Sequence, residues 1–158
     1  MSDAQQVSDT TGMVAPDLRS RPPRSPHVRL GGFALLPRML DKGRATIASQ
    51  NGEYHYDCPM DKHFLNYTGI DPDILKKELA AGHGDSKILE WVEANAVHRE
   101  PWEIAQWSSY HDTRTPSDSE TREYFNSMHK DASDLREDIV TWFDLLDLDD
   151  YVTFGGKP

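Results

Sequence analysis

Apolar residues recur along this chain at helical intervals, in short blocks that are separately punctuated. Leu35, Leu36, Met39, Leu40, Ala45, Ile47 and Ala48 follow spacings of three and four, and Pro37 fits in a first turn, so a helix is predicted over about 36–49. A rival pattern uses Asn51-Gly52 as a two-residue hairpin turn pairing RATIAS with EYHY, which leaves one short β segment near 53–56. Downstream, Asp71-Pro72 is an N-cap and first-turn pair, Gly82 stops PDILKKELAAG, Asp85 is placed as the cap of SKILEWVEANAV, and Pro101 opens PWEIAQWSSYH. Ser117 and Glu120 have capping-box spacing ahead of TREYFNSMHKDAS, and a last helix is expected over about Glu137–Leu148. The prediction is an all-α fold: a compact bundle of six or seven short helices forming one domain over 33–158.

The last of these helices is apolar nearly all round. Ile139, Trp142, Phe143 and Leu146 form one face, while Val140, Leu145 and Leu148 spread apolar surface beyond it. It is expected to lie at the centre of the core or to form a homo-oligomer seam through Ile139, Trp142, Phe143 and Leu146. At the other end, residues 1–16 are polar and almost without large apolar side chains, as in a disordered tail. Prolines 22, 23 and 26 make 17–32 an extended arm carrying Arg19, Arg21, Arg24 and Arg29.

Charge sharpens this picture. The net charge is −10 over 158 residues, yet residues 1–44 are net basic, with seven Lys or Arg against four Asp. The acidic body repels phosphate backbones and anionic lipid, which argues against nucleic acid and membrane partners. The arm's guanidiniums are therefore expected to pair with the protein's own acidic C-terminal helices or with those of a neighbour. A lone cysteine, no signal-peptide segment and no apolar run of about 20 residues fit a cytoplasmic protein.

One stretch, GEYHYDCPMDKHF over 52–64, concentrates reactive side chains. Its plain reading is an architectural corner in which Asp57 caps a helix that Pro59 opens and Gly69 ends. Its functional readings are Cys58 as a nucleophile at a helix N-terminus with His55 and Asp57 beside it, or a ligand pocket using Arg38, Arg44, Tyr54, Tyr56 and His63. His55, Asp57, Cys58, Asp61 and His63 match no established metal-ligand spacing. His83, His98, His111 and His129 are expected at the surface or rim, and Trp91 and Trp107 in the core. No phosphate-binding loop, dinucleotide fingerprint or nucleophile elbow is present, and LGG at 30–32 is too short to count.

The segments LRSRPPRSPHVRLGGFALLPRMLDKGRA, NGEYHYDCPMD, ILEWV, PWEIAQW and DLLDLDDYVTFGG, in this order, resemble the bacterial domain-of-unknown-function family 5069 over about residues 18–156. The resemblance implies no activity, cofactor or site residue. Taken together, the chain reads as a non-catalytic binding or protein-interaction module, with a small enzyme or ligand-binding protein, its pocket around Arg38–His63, as the alternative.

Overall fold

A computed structural model describes residues 12–158; most of the tail expected over 1–16 lies outside the described residues. Among these residues seven helices follow one another: α1 Leu36–Ile47, α2 Pro59–Thr68, α3 Pro72–Ala80, α4 Asp85–Asn95, α5 Pro101–Thr113, α6 Ser119–Ala132 and α7 Trp142–Thr153. The all-α prediction holds. The β segment near 53–56 and the hairpin do not: α1 runs to Ile47 and the chain then turns through Ser49, Gly52 and Asp57, all at positive φ. The only ladder contact among the described residues is an isolated antiparallel bridge between Leu30 and Phe33. It closes over Gly31 and Gly32, at φ 59 and 84, where a tight hairpin turn requires left-handed residues.

The centre of the fold is α1, not the last helix. Every residue from Leu36 to Ala45 is buried, including Arg38, Asp41, Lys42 and Arg44. Leu36, Met39 and Leu40 pack with Phe33, just before α1, and with Phe64, Leu75, Leu79, Ile88 and Val92 from α2, α3 and α4 into the main core. Gly43 lets α3 approach closely, since a Cβ there would come within 2.6 Å of Leu79 Cδ1. A second cluster joins Phe125 of α6 to Ile139, Leu145 and Leu148 around α7, and Phe143 meets Ala34 and Leu35 in a third. Ile139 and Phe143, expected at a seam, are thus spent inside the same chain, and Trp142 packs edge-on against Phe125 at 5.2 Å.

Helix punctuation follows the sequence in most places and departs where another hydrogen bond competes. Asp71 Oδ1 accepts from the backbone N–H groups of Asp73 and Ile74 at 2.8 and 3.2 Å, and Gly69 ends α2 at φ 72. By contrast Gly84, not Asp85, is the N-cap of α4, because the Asp85 carboxylate is taken by Arg24 and Arg44. Asp118 with Thr121 forms the capping box of α6 in place of Ser117 and Glu120. The last helix starts five residues later than expected, at Trp142, because Thr141 Oγ1 accepts from the Asp144 N–H.

The basic stretch before α1 lies against the body. Arg24 bridges Asp41 and Asp85, and Arg29 reaches Asp112. His27 faces Asp112 and Asp144, and Ser25 donates to Asp147 at 3.0 Å. Its partners are distributed over α1, α4, α5 and α7 rather than confined to the C-terminal helix. None of the helices among the described residues is long and apolar enough to cross a membrane.

Candidate functional site

The charged side chains of α1 each meet a partner on a different element. Arg38 donates to both carboxylate oxygens of Asp150 at 2.7 and 3.2 Å, with the two side chains 5% and 8% exposed. Tyr54 Oη donates to the same carboxylate at 2.7 Å, and burial and that contact push its phenol pKa up. Lys42 Nζ donates to Asp61 Oδ1 at 2.8 Å and lies 3.3 Å from Cys58 Sγ. Arg44 donates to Asp85 Oδ1 at 2.8 Å and to the carbonyl of His83. Buried ions persist only when paired and hydrogen-bonded, so this network fixes how the later helices seat around α1.

The crowded 52–64 stretch is divided by this network. Tyr56 Oη donates to the Pro72 carbonyl at 2.7 Å. Asp57 does not cap α2: its backbone sits at φ 61, its N–H donates to Asp61 Oδ2, and its carboxylate accepts from Lys62. The N-cap position falls to Cys58, half-buried and without a capping side-chain bond. Asp61 and His63 are two residues apart on α2, about 200° around the helix, so Asp61 turns in to Lys42 while His63 turns to α5. His55 is exposed, and neither a hydrogen bond nor a ring contact joins it to Cys58 or His63. Among the described residues no three His, Cys, Asp or Glu side chains stand together as an ion site.

Where His63 goes is the less expected feature. Its ring lies 4.8 Å from that of His111, which in turn lies 4.5 Å from Trp107. His111 is only 3% exposed, not at the rim as expected. The inward stripe Ile104, Trp107, Ser108 and His111 has helical spacing, and that spacing could have placed it. Burial, then His63 and Arg114, hold its pKa down to about 4. Arg114 follows α5 directly; its guanidinium lies 5.6 Å from the Trp142 ring centroid, and Nη2 contacts Met60 Sδ at 3.6 Å.

The outward side of α5 is unusual in a different way. Its exposed residues are Pro101, Trp102, Ala105, Gln106, Ser109, Tyr110 and Thr113, none of them charged. Trp102 is 67% and Tyr110 62% exposed. The helix's acidic residues are engaged elsewhere: Glu103 closes the capping box with Glu100, and Asp112 holds Arg29 and His27. Charged residues make up 28% of the chain, so a seven-residue neutral, aromatic face stands out.

A groove of about 410 Å³ adjoins this face. Phe33, Val92, Val97, Pro101, Ile104 and Ala105 supply apolar lining, and the Gly31-Gly32 turn forms one wall. Ser108 holds that turn in place, its Oγ donating to the Gly32 carbonyl at 2.6 Å and accepting from the Ala34 N–H at 2.9 Å. Arg99, at the rim, stacks on Tyr67 at 4.3 Å.

A family model described as "Domain of unknown function (DUF5069)" matches residues 20–152. No curated protein is significantly similar to the chain.

Proposed function

This chain belongs to the DUF5069 family, and we propose that it works as a non-catalytic protein-interaction module whose docking surface is the outer face of α5 with the groove beside it. The observation that carries this reading is the exposed, charge-free row from Pro101 to Thr113 on an otherwise acidic protein. Interface centres are depleted in charge and rich in Trp and Tyr, and such aromatic anchors supply most of the binding energy. Pro101 and Ala105 belong both to the row and to the groove wall, so a partner segment laid along α5 reaches the groove with one apolar side chain. The net charge of −10 favours a partner whose own surface is basic around that anchor.

What supports this over a ligand pocket spanning Arg38–His63 is the occupancy of the polar groups there. Arg38, Arg44, Tyr54 and Tyr56 all spend their polar atoms on internal partners.

The test compares wild type with Trp102→Ala/Tyr110→Ala by affinity purification from the native host and mass spectrometry. A protein that co-purifies stoichiometrically with wild type should be absent from the double variant, whose circular dichroism and urea midpoint should be unchanged. Retention of the same partner by the double variant rejects the surface.

A further inference from the structure

Four buried side-chain nitrogens among the described residues have no hydrogen-bond partner, and three of them, His111 Nδ1, Arg114 Nε and Trp142 Nε1, belong to one cluster. Such groups are rare in folded proteins, because a buried unsatisfied donor costs about 1–3 kcal/mol. The cluster is compact. His111 and Arg114 are one turn apart, the backbone N–H of Trp142 donates to the Arg114 carbonyl at 3.0 Å, and the Arg114 guanidinium lies over the Trp142 ring. His63 closes the side toward α2.

Arg19, Arg24, Arg29, Arg38, Arg44 and Arg136 each pair with a carboxylate within 4 Å, whereas Arg21, Arg99, Arg114 and Arg122 have none within 4 Å among the described residues, and of these four only Arg114 lies in the cluster of unpartnered nitrogens around His111 and Trp142. Its partner at Nη2 is the thioether of Met60, a weak acceptor on a flexible side chain. Burial lowers the Arg114 pKa, and Arg114 in turn lowers those of His63 and His111. Asp112, the one carboxylate that acts on His111, is already held by Arg29 and His27.

We infer that Arg114, with His63 and the indole of Trp142 beside it, forms a binding site for a small organic monoanion, a carboxylate with a short apolar body. The carboxylate takes the guanidinium N–H that now faces Met60 Sδ, and the Met60 side chain swings aside. One permanent cation flanked by two imidazoles that are neutral at pH 7 matches a single negative charge rather than a phosphate dianion. Met60 and Trp107 pack against Phe143 in one apolar cluster, so the displaced Met60 leaves an apolar surface for the body of the anion. This inference is independent of the α5 outer face, which can fail without touching it.

The probe is sodium butyrate, compared with sodium phosphate and sodium chloride at equal ionic strength and pH 7. Thermal unfolding and the imidazole C–H resonances are followed in the full chain. Butyrate should raise the unfolding midpoint saturably, with a dissociation constant in the millimolar range, and should shift the His63 resonances; chloride should do neither. Arg114→Gln should abolish both effects, Arg114→Lys should weaken binding about tenfold by removing the planar fork, and Met60→Ala should tighten it severalfold. Absence of a saturable butyrate effect in wild type, or an undiminished one in Arg114→Lys, overturns the site even if Arg114→Gln does not fold. Phosphate binding as tightly as butyrate overturns the monoanion assignment.

Discussion

Lys42 Nζ donates to Asp61 Oδ1 at 2.8 Å, and the two side chains are 5% and 1% exposed, so α1 and α2 are joined by an ion pair almost wholly removed from water. Removing one partner leaves a buried, uncompensated charge, which costs about 3–5 kcal/mol, whereas replacing both with apolar residues of similar volume is close to neutral. Lys42→Met should therefore be severely destabilised in urea titration, and Lys42→Met/Asp61→Leu should recover most of the loss. Equal losses in the single and double variants would show that the pair is not acting as a unit.

Ser108 is buried and serves two backbone groups at once. Ser108→Ala leaves the Ala34 N–H, itself fully buried, without an acceptor, so a loss of about 1–3 kcal/mol is expected. The Gly31-Gly32 turn forms a wall of the groove, so the same variant should lose partner affinity while Trp102 remains intact. Urea denaturation and binding by the purified partner check the two effects separately.

Gly43→Ala sets two effects against each other. Alanine gains about 1 kcal/mol of helix propensity over glycine, but its Cβ would stand 2.6 Å from Leu79 Cδ1 and 3.3 Å from the Tyr56 ring. The ring is tethered by its bond to the Pro72 carbonyl, so it has little room to retreat. Overpacking of this kind costs about 1–3 kcal/mol, and the net change in urea should be a modest destabilisation.

His111 makes stability depend on pH. Its folded pKa, about 4, lies below the unfolded value of 6.5. Between these values the unfolded chain binds more protons than the folded one, so stability is fully present above pH 6.5 and declines as pH falls toward 4. His63, also lowered by burial, adds to the same slope. Asp147 and Asp149, held high by burial, act with the opposite sign from pH 3.8 upward. Urea midpoints at pH 7 and pH 5 should therefore differ more for wild type than for His111→Asn, which lacks the titrating ring. An identical difference in the two proteins would remove His111 from the account.

Much of the helix pattern is legible in the sequence because its signals are local. Asp71-Pro72, Gly69, Gly82 and Pro101 act on their own backbone turn, and each marks a boundary where the chain has one. The central role of α1 is not legible in that way. A window over LPRMLDKGRA shows an amphipathic helix with an ordinary polar side, and only the partners at Asp61, Asp85 and Asp150 reveal that this side is interior. The same long reach took Asp85 from its expected cap, its carboxylate being claimed by Arg24 and Arg44, whereas the last helix and Asp57 were displaced by local bonds, the Asp144 N–H to Thr141 and Lys62 to the Asp57 carboxylate. The neutral row on α5 was open to inspection at positions 102, 105, 106, 109, 110 and 113, but its significance depends on knowing that these positions face outward.

The contact between Arg38 and Asp150 spans 112 positions of the chain, and it sets an order of events during synthesis. The first helix among the described residues, α1, carries guanidinium and ammonium groups that can enter a dry interior only after the carboxylates that neutralise them have been made. The last of those is Asp150, in α7. A nascent chain must therefore keep α1 solvated until α7 has been made, and the globule closes only then. Truncation before residue 150 should consequently yield aggregation rather than a smaller folded product, whatever the quality of the remaining apolar core.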